Sequence, residues 1–268
     1  MRRSRFVVLL SSLTLAAVAA LTGTSAAAGA GTAAAGGYVA LGDSYSSGLG
    51  AGGYIGSSGD CKRSTKAYPS LWAAAHSPSS FSFTACSGAR TGDVLSGQLG
   101  PLGSGTSLVS ISVGGNDAGF ADVMTTCVLQ SESTCLSRVA TAESYVNSTL
   151  PGNLDRVYSA IRSKAPGAKV VVVGYPRFYK LGTTCVGLSE GKRKAINAAS
   201  DRLNTVLAQR ASGHGFTFAD VRSPFTGHEI CSGNSWLHSV NWLNIGESYH
   251  PTAAGQSGGY LPALTKAA

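Results

Sequence analysis

Short apolar runs alternate with longer amphipathic stretches along most of the chain. Residues 170–173 are four consecutive valines, a pattern typical of a β-strand that is covered on both faces. Comparable apolar runs of strand length, several of them followed by turn residues, predict further strands. These runs lie at residues 38–41, 81–85, 108–113, 169–175 and 216–221.

Helices are predicted between these runs, mainly from apolar residues that recur at intervals of three and four. The predicted helices cover residues 67–76, 139–161 and 196–207. The second of them should bend or break at Pro151-Gly152, because proline cannot donate to the helical hydrogen-bond ladder. A last helix is predicted to have its first turn at Pro251.

This alternation predicts an α/β protein, a three-layer α/β/α sandwich with a central, mostly parallel sheet. The chain shows no internal repeat or linker, so residues 37–268 are expected to form a single domain. Three turns follow predicted strands, at Gly42-Asp43-Ser44, Ser87-Gly88-Ala89 and Gly114-Gly115-Asn116. Because ligands of such folds bind at the carboxyl ends of the strands, the three turns should meet at one site.

The N-terminus has the pattern of a secretory signal peptide. Arg2, Arg3 and Arg5 precede an apolar run at residues 6–21, and small residues follow it. We therefore expect a signal peptide over residues 1–36, cleavage near residues 28–36 and an extracellular protein. A membrane anchor is the alternative, but the run is short and no basic flank follows it.

Composition and charge exclude some classes of protein. With 43% hydrophobic and 13% charged residues the chain is not of the disordered type. Its net charge is +8, and removal of residues 1–36 takes away three arginines and no acid, which leaves +5. Basic residues are not clustered with aromatic ones, so we expect no nucleic-acid partner.

Six cysteines in an exported chain indicate disulfide bonds. Their order favours pairing between nearest neighbours, which gives Cys61–Cys86, Cys127–Cys135 and Cys185–Cys231. A zinc site is the alternative, but the sequence contains no C-x-x-C pair and no histidine at ligand spacing. We expect no bound metal.

Ser44 is the first candidate for chemistry, because a tight turn after a strand can expose its hydroxyl. A serine nucleophile needs a base and hydrogen-bond donors for the oxyanion that forms on the attacked carbonyl. The candidate donors are the Asn116 side-chain amide and the N–H groups of Gly88 and Ser44. Taken singly these are weak signals, since serine and glycine are ordinary turn residues.

The base has to be one of five histidines. We expect His76 and His214 to be solvated or to cap helices, whereas His228 and His238, in an irregular region, are candidates for a pocket wall. His250 precedes a proline that fixes the backbone and therefore the angle of the imidazole. We choose His250.

Four short segments follow one another along the chain: Gly42-Asp43-Ser44, Ser87-Gly88-Ala89, Gly114-Gly115-Asn116-Asp117 and His250-Pro251-Thr252. Together they resemble the four blocks of the SGNH (GDSL) hydrolases, whose fold is flavodoxin-like. The secreted actinobacterial lipases and esterases of that superfamily resemble the chain over essentially all of its expected mature length. The resemblance implies that Ser44 is the nucleophile, that Gly88 and Asn116 are oxyanion donors and that His250 is the general base.

The chain departs from this pattern at two positions. Tyr45 stands where the family has the leucine of its name, and Glu247 stands three residues before His250, where the family usually has aspartate. The imidazole needs an acceptor that fixes its tautomer. Either Glu247 or the backbone carbonyl of Ser248 meets that need, and we favour the carbonyl.

The resemblance implies a secreted serine ester hydrolase that cleaves fatty-acyl esters through an acyl-enzyme, as a triacylglycerol lipase or carboxylesterase does. No cofactor is implied. The partners would be a lipid or other ester substrate and, transiently, a lipid interface, and the protein would be a monomer.

Other functions stay open at this point. A phospholipase or a carbohydrate O-acetyl esterase would use the same chemistry. A glycosidase needs two carboxylates facing each other across a cleft, and the sequence singles out no such pair. A non-catalytic secreted binding module is the remote alternative.

Overall fold

A computed structural model of the protein describes residues 36–268, and the predicted signal peptide lies outside the described residues except for its last position. The described residues contain five strands: β1 (Gly37–Gly42), β2 (Phe81–Phe83), β3 (Thr106–Ser112), β4 (Lys169–Val173) and β5 (Thr217–Ala219). The same part of the chain contains eight α-helices: α1 (Ser44–Ser47), α2 (Tyr68–His76), α3 (Thr91–Asp93), α4 (Phe120–Leu129), α5 (Glu132–Ser148), α6 (Leu150–Lys164), α7 (Glu190–Gly213) and α8 (Leu261–Ala267).

The strands form one sheet in the order β2-β1-β3-β4-β5, and every neighbouring pair is parallel. Strand β1 is buried along its length, and residues 170–173 of β4 are also buried, as their continuous apolar run predicts. Helices pack around this sheet: α2 contacts α8, whereas α5 contacts α4, α6 and α7. The predicted α/β sandwich with a parallel sheet is confirmed.

The helix predicted over residues 139–161 is two helices, α5 and α6, and the break falls at Thr149 rather than at the proline. Pro151 lies in the first turn of α6. Backbone N–H groups have no intrahelical acceptor there, so the missing donor of proline costs nothing. The proline therefore begins the second helix instead of kinking one long helix.

The prediction that Pro251 forms the first turn of the last helix is wrong. Pro251 forms an isolated bridge with Leu237, and helical backbone begins only at Ala253, just before a π-helical segment (Gly255–Tyr260) that leads into α8. The Thr252 N–H donates to the Trp236 carbonyl at 2.9 Å. The backbone around Pro251 is thus paired with residues 236–237, which prevents it from forming the first turn of a helix.

The six cysteines lie in three disulfide pairs, Cys61–Cys86, Cys127–Cys135 and Cys185–Cys231. The second pair joins α4 to α5, and the first holds the loop after α1 close to the end of β2. Among residues 36–268, no helix is long and apolar enough to cross a membrane.

Candidate active site

Ser44 lies at the carboxyl end of β1, as the first residue of the short helix α1. Gly42 makes the sharp exit from the strand with a φ of +121°, and a Cβ there would lie 2.3 Å from the Ser112 carbonyl oxygen. Asp43 then caps α1, because its carboxylate accepts a 3.0 Å hydrogen bond from the Tyr45 N–H. The turn that presents Ser44 is therefore fixed on both sides.

Asp43 also connects this turn to the neighbouring strands. Its carboxylate accepts hydrogen bonds from the Ser112 hydroxyl at the end of β3, at 2.7 Å, and from the Tyr175 hydroxyl beyond β4. The side chain is buried, and burial raises its pKa to about 6 although the hydrogen bonds favour the charged form. Three strand ends are thus joined beneath Ser44.

His250 contacts Ser44 directly: its Nε2 lies 2.8 Å from the Ser44 Oγ. On the other side of the ring, Nδ1 lies 3.0 Å from the Ser248 carbonyl oxygen. Because a carbonyl oxygen only accepts, Nδ1 carries the proton, and Nε2 is free to accept from the Ser44 hydroxyl. Burial lowers the pKa of His250 to about 4, which keeps the imidazole neutral at physiological pH.

Glu247 is engaged elsewhere. Its Oε1 accepts a 2.7 Å hydrogen bond from the Tyr54 hydroxyl, and that hydroxyl accepts in turn from the Gly50 N–H at 2.9 Å. The imidazole N–H of His250 therefore donates to the Ser248 carbonyl and not to Glu247. Glu247 instead links its own segment to the loop after α1 through Tyr54.

The candidate oxyanion donors line the same cleft as Ser44 and His250. The Asn116 Nδ2 donates one hydrogen to the Ala89 carbonyl at 3.0 Å, which orients the amide and leaves its second hydrogen available. Gly88 has a φ of +80°, a conformation that favours glycine. Among residues 36–268 neither the Gly88 N–H nor the Ser44 N–H has a hydrogen-bond acceptor.

The loops that carry Gly88 and Asn116 are clamped together by Asp117. Its carboxylate accepts from both the backbone N–H and the hydroxyl of Thr91, the hydroxyl contact being 2.5 Å. The sequence motif contains Asp117, but no local pattern indicates that Thr91 is its partner. The clamp fixes the distance between the two candidate donors.

Among the described residues, the side chains of the other four histidines make no hydrogen bond to Ser44. His214 caps α7 and contacts Asp155, and the His76 Nδ1 donates to the Trp72 carbonyl of its own helix. His238 bonds to the Gly50 carbonyl, and His228 stacks on a tryptophan. Neither of the last two lines either of the two cavities at Ser44 described below.

Two cavities meet at Ser44 and Asn116. The larger is an open cleft of about 510 Å³ that also contains Gly88 and His250. The smaller, of about 70 Å³, lies between α4, α5 and α7. Its lining is largely apolar and includes Tyr45, Phe120, Val123, Met124, Ala142, Val146, Phe178, Ile196, Ala199 and Leu203. In the described part of the chain no cluster of histidine, cysteine or acidic residues is suited to hold a metal ion.

Comparison with known proteins identifies the family of the chain. The model of the GDSL-like lipase/acylhydrolase family matches residues 40–257. The chain belongs to this family. It is 81% identical to Lipase 1 of Streptomyces coelicolor over all 268 residues, which cover the whole of both chains. The resemblance drawn from the four sequence segments is confirmed.

Solved structures of family members are also similar. The crystal structure of phospholipase A1 from Streptomyces albidoflavus NA297 has 69% identity and a TM-score of 0.86, and the match covers 88% of this chain and 100% of that one. The structure of an extracellular lipase from Streptomyces rimosus has 66% identity and a TM-score of 0.85, with 87% and 100% covered. The family member described here is a carboxylic ester hydrolase.

Proposed function

We propose that this hydrolase cleaves lipid acyl esters with Ser44 as nucleophile and His250 as general base, without a carboxylate partner for the histidine. The observation that carries the proposal is the pair of contacts on the imidazole. Nε2 lies 2.8 Å from the Ser44 Oγ, and the Ser248 carbonyl holds the proton on Nδ1. This is the tautomer that takes a proton from the serine.

The reaction has two halves. The Ser44 Oγ attacks the ester carbonyl while its proton moves to the His250 Nε2, and the carbonyl oxygen becomes an oxyanion. The N–H groups of Ser44 and Gly88 and the Asn116 amide donate to it. His250 then gives its proton to the departing alcohol, and an acyl-serine forms. Water, deprotonated by His250, attacks the acyl-serine. As the bond between the acyl carbon and the Ser44 Oγ breaks, His250 returns the proton to that oxygen, and the acid leaves.

The two cavities suggest how a lipid ester is placed. The smaller cavity is apolar and lies beside Ser44 and Tyr45, so it suits the start of an acyl chain. The open cleft suits the alcohol portion of the ester, which is larger and varies among lipids. We therefore place the scissile carbonyl at the junction of the two cavities, next to Asn116.

A phospholipid is the second candidate substrate, because one similar structure is that of a phospholipase A1. Its glycerophosphate portion would occupy the same open cleft. Release of fatty acid from phosphatidylcholine and from a triacylglycerol, measured side by side at equal ester concentration, distinguishes the two substrates. A panel of p-nitrophenyl esters from acetate to palmitate then gives the preferred chain length.

The protein acts, we propose, as a secreted monomer after removal of its first residues. The signal-peptide pattern over residues 1–36 supports this, as does the description of the Streptomyces rimosus relative as extracellular. N-terminal sequencing of the protein from culture medium, with its mass in solution, tests both points.

The variant Ser44→Ala tests the nucleophile. We expect kcat/KM for p-nitrophenyl butyrate to fall by a factor on the order of 10³ or more. Ser57→Ala, at an exposed serine of the loop after α1, is the matched control and should keep wild-type activity. A Ser44→Ala protein that folds normally and keeps more than a tenth of the activity would overturn the proposal.

A further inference from the structure

The mouth of the cleft carries exposed apolar side chains. In the segment of residues 237–246, Trp242 is 72% exposed, Leu243 is 100% exposed and Ile245 is 62% exposed. Leu129, at the end of α4, is 61% exposed and lines the same cleft as Trp242 and Ile245. We call these four side chains the apolar rim. Large apolar side chains grouped in this way at a binding cleft indicate an interaction surface.

The fold of the segment itself holds these side chains outward. The Asn241 Oδ1 accepts from the N–H groups of Leu243 and Asn244 at 3.2 Å, and the Ser248 hydroxyl accepts from the Asn241 N–H at 2.8 Å. The Glu247 N–H donates to the Asn244 carbonyl at 3.0 Å. These hydrogen bonds within the loop hold its backbone in place, while the side chains of Trp242, Leu243 and Ile245 remain exposed.

The charge distribution identifies the kind of partner. Residues 237–246 contain no aspartate, glutamate, lysine or arginine, although the whole chain has a net charge of +8. A surface for an acidic or basic protein partner would carry complementary charges, and a surface for anionic lipid would carry basic ones. Tryptophan favours the boundary between apolar and aqueous phases. An electrically neutral lipid surface fits all of these features.

From this arrangement we propose that the apolar rim docks the protein on the surface of neutral or zwitterionic lipid aggregates. This inference rests on the proposed function, because docking at the rim brings the open cleft against the layer that holds acyl esters. The lipid then enters the cleft from the aggregate without crossing water. Docking depends on apolar burial, so salt should not weaken it.

Leu243 is the residue on which to test the surface. It is fully exposed, and unlike Trp242, Ile245 and Leu129 it does not line the cleft. We expect Leu243→Ser to lower the partition coefficient onto phosphatidylcholine vesicles by about tenfold. Hydrolysis of p-nitrophenyl acetate, a soluble monomeric ester, should not change. Vesicles of a dialkyl-ether phosphatidylcholine, which offers no carboxylic ester bond, separate binding from catalysis in a co-sedimentation assay.

Val186→Ser is the matched control. Val186 is 95% exposed and apolar, but it lies in the loop before α7 and lines neither cavity at Ser44. It should keep wild-type partitioning. Tryptophan emission should shift to the blue when vesicles are added to the wild type, and Trp242→Phe should lose most of that shift, since Trp72 and Trp236 are less exposed.

Four results would overturn the proposal. One is wild-type protein that stays in the supernatant with ether-lipid vesicles. Another is an equal loss of binding in Leu243→Ser and Val186→Ser. The third is binding that requires anionic lipid. The fourth is self-association of the wild type in the absence of lipid in place of binding to vesicles. None of these depends on ester hydrolysis, so failure of the docking surface and failure of the proposed function are distinguishable.

Discussion

The Tyr45 hydroxyl donates a 2.9 Å hydrogen bond to the carbonyl oxygen of Tyr249. Tyr45 follows Ser44, and Tyr249 precedes His250, so one bond joins the backbone next to the candidate nucleophile to the backbone next to the candidate base. Tyr249 has a φ of +67°, which is strained for a residue other than glycine. The tyrosine that replaces the leucine of the family motif thus helps hold the histidine in place.

Removal of this bond should therefore impair catalysis. In Tyr45→Phe the buried carbonyl of Tyr249 loses its donor, which should lower the free energy of unfolding by about 1–3 kcal/mol. Because the imidazole of His250 is then held less precisely at hydrogen-bond distance from the Ser44 hydroxyl, we expect kcat to fall by about tenfold and KM to change less. Steady-state kinetics and urea unfolding measure the two effects.

Tyr145→Phe provides the control for that variant. The Tyr145 hydroxyl accepts from Asn153 at the junction of α5 and α6 and lies outside both cavities. It should alter stability at most and leave kcat unchanged. Equal kinetic losses in the two variants would contradict a specific role for the bond between Tyr45 and Tyr249.

Glu247→Gln should keep kcat/KM within about twofold of the wild type. The reason is that the His250 Nδ1 is held by the Ser248 carbonyl, while the Glu247 carboxylate accepts from Tyr54. An effect through one exposed hydrogen bond is small. A fall of a hundredfold or more would instead show that Glu247 orients the imidazole during the reaction. Glu190→Gln, at a half-exposed residue in the first turn of α7 that lines neither cavity, is the control for the loss of a charge.

The acid limb of the pH–rate profile should lie unusually low. His250 acts as a base only when it is neutral, and burial lowers its pKa to about 4 from 6.5. We expect kcat/KM for a soluble ester to stay level down to about pH 5 and to fall below about pH 4. Activity recovered at pH 7 after acid exposure checks that the protein has not unfolded. A limb centred between pH 6 and 7 would contradict this environment for the imidazole.

Asp43 and His250 should give opposite slopes of stability against pH. Burial raises the pKa of Asp43 to about 6 from 3.8, so its contribution to stability is lost as pH rises through that range. The pKa of His250 is lowered, so its contribution is lost as pH falls from 6.5 toward 4. In the wild type the two trends oppose each other between pH 4 and 6.

Asp43→Asn removes one of these trends. The free energy of unfolding of that variant should rise with pH between about 4 and 6.5, by up to about 1.4 kcal/mol per pH unit. His250→Asn should show the reverse trend. Urea unfolding of both variants and the wild type at several pH values measures the slopes. Identical slopes in all three proteins would mean that neither group is perturbed as described.

The fold was predictable because its signals are local. The valines of β4 and the apolar run of β3 identify the strands directly, and their alternation with helices leads to a parallel sheet. The predicted elements were wrong where hydrogen bonds to residues remote in the sequence determine the backbone conformation. Pro251 suits a helix start, but the hydrogen bond from Thr252 to Trp236 keeps the backbone extended there. The π-helical segment that follows has no sequence signal of its own.

For the candidate site, the sequence predicted the residues that meet in the cleft but not the contacts that support them. The turns at Ser44, Gly88 and Asn116 and the segment of His250 carry motifs that place them together, and the structure does bring them to one cleft. The supporting contacts were not foreseen. Tyr45 and its partner Tyr249 are 204 positions apart, and hydrogen bonds across such a separation leave no periodic pattern in the sequence.

The distance along the chain between Ser44 and His250 has a consequence for the producing cell. They are 206 positions apart, so their contact forms neither in a nascent polypeptide that lacks His250 nor in a chain that is still unfolded in an export channel. Under the proposed mechanism, the power to cleave lipids therefore arises only after almost the entire chain has emerged and folded. An unfolded chain in transit therefore has no assembled site that could act on the cell's own membrane.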